Sequence, residues 1–106
     1  MTEFDKREEA FEQRFAHDEE LKFKATARRN KLLGLWAAEK LGLTGAEADS
    51  YALSIVMADL DAADHDVARK IRKDFDAKGV AQSDHQIART MTELMAKAVA
   101  DIQAGK

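Results

Sequence analysis

The chain has no proline at any of its 106 positions, and this absence limits its fold more than any other feature. Proline breaks helix interiors, so a chain without it can form long uninterrupted helices. Alanine, glutamate, lysine, leucine and arginine are abundant, as is usual in all-helical proteins. No segment alternates apolar and polar residues as a half-buried strand does. The sequence therefore predicts an all-α fold.

Capping signals mark the helix boundaries. TGAE (residues 44–47) and SDHQ (residues 83–86) both have the form of a capping box, which satisfies backbone N–H groups at a helix start. Gly42 and Gly79 stand where glycines in the left-handed conformation end helices. These signals divide the chain into four helical segments, at about residues 3–41, 45–60, 62–78 and 84–104.

Each segment has apolar residues spaced as one side of a helix, and we expect these faces to form the core. In chain order the expected core residues are Leu21, Ala25, Leu32, Leu33 and Trp36, then Leu53, Val56, Met57 and Leu60 with Tyr51 and Ile55 beside them, then Val67, Ile71 and Phe75, then Ile87, Met91, Leu94, Met95, Ala98 and Ile102. Four such faces with short connections predict a small antiparallel four-helix bundle.

The first segment is too long for this bundle. As one helix it would measure ~58 Å, whereas each partner would measure ~24–32 Å at 1.5 Å per residue. The partners therefore cover about half of it, and HDEE (residues 17–20) interrupts its apolar stripe where the cover should end. We expect a projecting, mobile N-terminal arm over residues 1–20, frayed or disordered in the free protein, and a globular domain over residues 21–106.

The arm carries three phenylalanines in a strongly charged background. Phe4, Phe11 and Phe15 fall on one narrow stripe of a helix, although residues 1–20 contain eight acidic and three basic side chains. Such an exposed apolar stripe predicts a helix that binds in a groove of a partner protein. The alternative is that the first helix folds back, or that Phe11 and Phe15 pack on the end of the bundle.

A basic stretch follows the arm, since residues 21–41 carry six basic side chains and one acidic one. KFKATARRNK (residues 22–31) is either a second contact with an acidic partner surface or a solvated basic face. The chain has a net charge of −3 and no nucleic-acid-binding motif, so nucleic acid is not an expected partner. Gly34 either permits the close approach of another helix, or of a partner beside Trp36, or is merely tolerated.

Several classes of site and location are excluded or disfavoured. The chain has no cysteine, and its start, MTEFDKREE, lacks the layout of a secretory signal. The longest apolar run, LLGLWAA, is far shorter than the ~20 residues of a membrane helix. We therefore expect a cytoplasmic protein without direct membrane insertion.

No catalytic or metal site is predicted. The sequence has no nucleophile elbow, glycine-rich phosphate loop or zinc motif. His17, His65 and His85 each neighbour acids, but Asp61 and Asp64 in DLDAADHD fit a helix start better than a metal site. The chain is therefore expected to be neither an enzyme nor a cofactor-binding protein.

The stretch FDKREEAFEQRFAHDEELKFKATARRNKLLGLWAA, from Phe4 to Ala38, resembles the zeta subunit, the ATPase inhibitor of the alphaproteobacterial F-type ATP synthase. The resemblance extends over nearly the whole chain, including LGL after the first helix and SDHQ at the fourth. It implies a four-helix domain and an arm that folds into a catalytic α/β interface of the synthase head near the rotor shaft. There the arm would block rotation in the direction of ATP hydrolysis.

The resemblance also implies the partners and the contact residues. The partners would be the α, β and γ subunits of the head. Independently of the resemblance, a compact bundle with polar outer faces predicts a monomer when free. The implied inhibitory contacts are Phe4, Asp5, Arg7, Glu8, Phe11, Glu12, Arg14 and Phe15. Secondary contacts are expected at Lys22, Phe23, Lys24, Arg28 and Arg29. Arg14 stands where lysine is common in that family, which keeps the charge but changes the geometry of a contact.

Two other functions fit parts of the sequence. The chain could be a helical adaptor of another cytoplasmic complex, with the same arm as its docking element. It could also sense an adenine nucleotide or similar anion through the basic cluster at residues 22–31. Neither hypothesis accounts for the arm, the bundle and the family motif together.

Overall fold

A computed structural model of the protein describes residues 19–61 and 66–105, which form four helices and their short connections. The helices are α1 (Glu19–Lys40), α2 (Gly45–Asp61), α3 (Val67–Lys78) and α4 (Asp84–Gln103). No strand occurs among these residues. The predicted all-α class and four-helix bundle are confirmed. The predicted arm lies outside the described residues, except for Glu19 and Glu20 in the first turn of α1.

The predicted glycine stops and the SDHQ capping box are present. After α1, Leu43 N–H donates to Ala38 C=O at 2.9 Å, and Gly42 has a φ of 79°. After α3, Val80 N–H donates to Phe75 C=O at 2.9 Å in the same arrangement. At α4, Ser83 and Gln86 exchange both capping-box hydrogen bonds, at 2.9 and 3.1 Å. These ends make the connections short, so consecutive helices pack as neighbours.

The start of α3 differs from the sequence expectation. Its N-cap is Asp66, whose carboxylate accepts a hydrogen bond from Arg69 N–H at 3.0 Å. Asp61 is instead the last residue of α2, and Asp64 lies outside the described residues. Several carboxylates follow one another in this stretch, and any of them can cap a helix. The one that does so is fixed by where the α3 core face begins, at Val67.

All four helices contribute to one core. Its fully buried members are Leu33 and Ala37 from α1, Ile55 from α2, Val67, Ile71 and Phe75 from α3, and Ile87 from α4. The ring of Trp36 packs against Phe75 with 5.7 Å between the ring centroids. The predicted apolar stripe of α3 is therefore confirmed as core.

Helices α1 and α2 approach very closely at Gly34. A Cβ atom at this position would stand 2.5 Å from the Cα of Ala52, which is closer than carbon atoms pack. Gly34 therefore allows the close approach of another helix, which is one of the expected roles. The backbone contact explains why a glycine is kept in a helix interior, where it costs ~1 kcal/mol relative to alanine.

The prediction for the core face of α2 is confirmed for Ile55 and wrong for Leu53, Met57 and Leu60. The residues that it buries are Ala52, Ile55 and Asp59, whereas Leu53, Met57 and Leu60 are exposed. The contact at Gly34 is the physical reason, because only the side of α2 with a small residue at position 52 can lie so close to α1. The larger side chains are consequently turned outward.

Candidate partner-binding surface

An open groove runs between α1 and α2 on the outer side of the bundle. Its larger part has a volume of about 600 Å³, and a smaller cavity of about 20 Å³ continues it, with Ala27 and Val56 lining both. We call this surface the α1–α2 groove and define it by Phe23, Ala27, Arg28 and Lys31 from α1 and by Asp49, Leu53, Val56 and Leu60 from α2.

Large apolar side chains that the bundle does not cover line the groove, and Met57 lies beside two of them on α2. Phe23 is 58% exposed, Leu53 60%, Met57 48% and Leu60 49%. Leu53, Met57 and Leu60 are spaced four and three residues apart, so they form one stripe along α2. A continuous exposed apolar stripe of this kind is typical of a surface that binds another protein segment.

At its Phe23 end the groove is lined by Asn30, a buried side chain that is hydrogen-bonded to the half-buried Arg29. Asn30 is 1% exposed and accepts two hydrogen bonds through its Oδ1 atom, at 3.0 Å from Arg29 Nε and 2.8 Å from Arg29 Nη2. Burial lowers the pKa of Arg29 from its usual value, while the charge of nearby Asp59 opposes this effect. Arg29 is thus held against the bundle, with part of its hydrogen-bonding capacity used internally.

Arg28 connects α1 to α4. Its Nε and Nη2 atoms both donate to Asp101 Oδ2, at 3.1 and 2.9 Å, and Asp101 is buried. Lys97 approaches the same oxygen at 3.6 Å. A buried carboxylate needs such partners, since leaving it unpaired costs several kcal/mol. Arg28 therefore has a structural task as well as lining the groove.

The predicted secondary contact residues divide into two groups. Lys22, Phe23 and Lys24 are exposed near the start of α1, where Lys24 forms an ion pair with Glu20 at 3.4 Å. Arg28 and Arg29 are half-buried and bonded within the bundle. The basic stretch is therefore not a uniform solvated face. The predicted inhibitory contacts Phe4, Asp5, Arg7, Glu8, Phe11, Glu12, Arg14 and Phe15 lie outside the described residues.

Sequence reasoning missed the part of the surface that α2 contributes. Leu53, Met57 and Leu60 follow a good helical apolar pattern, which predicts a place in the core. The signal that could have placed them outside is the pair of small residues Gly34 and Ala52, together with Asp59 on the same face of α2 as Ala52. Within residues 19–61 and 66–105, no three acidic or histidine side chains are grouped as metal ligands.

The groove thus combines an apolar stripe on α2 with the basic side chains of Arg28 and Lys31 on α1, the helix that follows the N-terminal residues. The family model of the ATPase inhibitor subunit zeta matches residues 1–101. The chain belongs to this family. The match to the zeta family includes residues 1–18, the first three helices and α4 as far as Asp101, so the family pattern extends across both predicted parts of the chain.

The fold is also similar to that of a solved structure. A protein whose structure was determined by solution NMR is 44% identical to this chain, with a TM-score of 0.69. The comparison covers 81% of this chain and 99% of that protein. No curated protein matches the chain.

Proposed function

We propose that the protein inhibits ATP hydrolysis by an F-type ATP synthase, and that its N-terminal arm, residues 1–20, carries the inhibition. The observation that supports this is the match to the ATPase inhibitor subunit zeta family over residues 1–101, which includes the arm. In this proposal the arm is frayed in solution and becomes helical in a catalytic α/β interface of the synthase head. It lies there near the rotor shaft and blocks rotation in the hydrolysis direction.

The proposed contacts within the head follow from the chemistry of the arm. Phe4, Phe11 and Phe15 insert into an apolar groove, since burial of each phenylalanine contributes ~1.5–3 kcal/mol. The flanking charges fix the register of the helix through contacts with the rim of the interface. These charges are Asp5, Arg7, Glu8, Glu12 and Arg14. The α, β and γ subunits supply the surrounding surfaces.

Contacts from the globular domain strengthen this binding. Folding the arm on binding costs ~1–2 kcal/mol of backbone entropy for each ordered residue, which consumes much of the interaction energy of the phenylalanines. Lys22, Phe23 and Lys24 are exposed and directly follow the arm, so they are suitably placed for a second contact. The isolated arm should consequently inhibit far less strongly than the whole chain.

The proposed location is the cytoplasmic face of the membrane that holds the synthase, where the protein binds the head as a monomer. Family membership supports an association with the synthase. The helices formed by residues 19–61 and 66–105 include none with the length and apolar character needed to cross a bilayer. Attachment through the head is therefore the proposed link to the membrane.

The test is ATP hydrolysis by the cognate catalytic head in the presence of the intact chain or of a chain that lacks residues 1–19. We expect inhibition by the intact chain alone, with circular dichroism showing that both are folded. Equal inhibition by both chains would place the activity in the globular domain. If neither chain inhibits, the proposal is wrong for this protein.

A further inference from the structure

The amide of Asn30 is buried with its oxygen bonded and its nitrogen unbonded. The Oδ1 atom accepts both hydrogen bonds from Arg29, and the residue as a whole is 1% exposed. The Nδ2 atom is buried as well, yet it donates to no atom of the residues that the structure describes. A buried donor without an acceptor destabilises a fold, so Nδ2 needs a partner that the helices themselves do not provide.

The bonds from Arg29 fix the direction in which this amide faces. If the oxygen and nitrogen of Asn30 were exchanged, its NH₂ group would stand against the guanidinium of Arg29, with donors facing donors. The oxygen therefore lies on the side of Arg29, and Nδ2 faces away from it. The amide cannot be satisfied by turning it over.

Asn30 lines the small cavity of about 20 Å³ between α1 and α2. A water molecule needs at least ~10–15 Å³ of such space, so the cavity has room for one water and not for a larger ligand. Phe23 and Leu60 line the same cavity and are about half-exposed. Water can therefore reach the cavity from the open groove.

The cavity also has acceptors. Asp59 and Thr26 line it together with Asn30. A carboxylate accepts at about four positions, so Asp59 can receive a hydrogen bond from water while its charge also acts on Arg29. The hydroxyl of Thr26 can accept or donate. A water that finds ~2–4 polar partners of this kind is held as part of a protein structure.

We propose that this cavity holds one ordered water molecule, which accepts a hydrogen bond from Asn30 Nδ2 and donates one to the carboxylate of Asp59. The water completes the bonding of the buried amide and links α1 to α2 at the Phe23 end of the groove. It thereby accounts for a buried asparagine and a buried aspartate between two helices that elsewhere meet at Gly34 and Ala52. This water site does not depend on the proposed function.

The site can be tested by NMR on the unchanged full chain, through transfer of magnetisation from water to the Asn30 side-chain amide. Asn30 is the single asparagine of the sequence, so its amide can be distinguished from those of the glutamines. We expect NOE and ROE cross peaks of opposite sign between water and the Nδ2 hydrogens, which is the signature of a water held in place. The amide of Gln103, exposed on α4, is the control and should lack this signature.

A pair of valine variants excludes a transfer through exchanging hydrogens. The hydroxyl of Thr26 exchanges its hydrogen with the solvent, and it could pass magnetisation to Nδ2 without any water in the cavity. Thr26→Val removes this hydroxyl, and Thr92→Val makes the same change at an exposed position of α4 that does not line the cavity. The cross peaks at Nδ2 should remain in both variants, because Asn30 and Asp59 still hold the water.

Oxygen-17 relaxation dispersion measures the held water independently, since labile hydrogens do not contribute to it. Asn30→Leu removes the donor and places an apolar side chain at the cavity, so the amplitude of the dispersion should fall by the equivalent of one water molecule. Gln103→Leu removes an amide at the protein surface and should leave the amplitude unchanged. Circular dichroism checks that both variants are folded.

The inference is wrong under any of three results. One is an Asn30 amide that shows only exchange peaks or none, as Gln103 does. Another is a loss of the Nδ2 cross peaks in Thr26→Val but not in Thr92→Val, since the hydroxyl would then be their source. The third is an unchanged oxygen-17 amplitude in folded Asn30→Leu. If that variant does not fold, the cross peaks of the unchanged chain and of Thr26→Val decide.

Discussion

Helices α2 and α3 each carry a stripe of large apolar side chains, but only the stripe of α3 faces the core. Val67, Ile71 and Phe75 of α3 lie in the core, whereas Leu53 and Leu60 of α2 border an open groove. The difference lies in what each helix packs against. Helix α3 faces the large side chains of Trp36 and its neighbours, while α2 meets the backbone of α1 at Gly34. Apolar character alone therefore does not decide which face is buried.

The largest effect on stability is expected when one side chain of each stripe is truncated and the two losses are compared. Phe75→Ala should lower the free energy of unfolding by ~3–5 kcal/mol, because it leaves a cavity in the core. Leu53→Ala should change it by ~0.5 kcal/mol or less, as is usual for exposed positions. Denaturant unfolding followed by the fluorescence of Trp36 measures both. Comparable losses would show that Leu53 is buried after all.

A second test concerns the contact that turns α2 outward. Gly34→Ala places a Cβ against the backbone of Ala52, and overpacking of this kind costs ~1–3 kcal/mol. Alanine also favours the helix by ~1 kcal/mol relative to glycine. The difference between the two effects predicts a net loss of up to ~2 kcal/mol in the free energy of unfolding, measured by urea denaturation. An increased stability would mean that the helices separate there without cost.

Features that depend on local signals could be predicted from the sequence, whereas the face that α2 buries could not. The ends of α1 and α3 and the start of α4 depend on local signals, namely Gly42, Gly79 and the Ser83–Gln86 box, and all three predictions are confirmed. The stripe of α3 lies in a polar background, so it has only one face that can be buried. On α2, small and large apolar residues occupy different faces, and helical periodicity favours the larger ones.

The candidate site was predictable only where its residues follow one another in the sequence. Lys22, Phe23 and Lys24 form a recognisable exposed group after the arm. Leu53, Val56 and Leu60 join them across the groove through tertiary packing, which no local pattern contains. The partners of Arg28 were equally hidden, since Asp101 is 73 residues away in the chain.

Tyr51 stands on the flank of α2 between its buried and exposed faces, and it links this helix to α3. Its hydroxyl donates to Asp74 Oδ2 at 2.7 Å, and Lys70 Nζ lies 3.1 Å from the same oxygen. Burial raises the pKa of Tyr51 above its ordinary value, and the hydrogen bond and charge of Asp74 raise it further. The neutral phenol is thus the form that the folded protein favours.

The smallest expected effect is therefore a loss of stability at alkaline pH. The folded-state pKa of Tyr51 lies above the unfolded value of ~10. The stability that its neutral hydroxyl adds is therefore fully present below about pH 10 and is lost as the pH rises towards the folded-state pKa. Tyr51→Phe lacks this titration, so the stability difference between the two chains should be constant up to about pH 9 and narrow above pH 10. Urea midpoints measured from pH 8 to pH 11 would show it, whereas parallel curves would mean that the phenol titrates normally and that α2 is not held to α3 through Asp74.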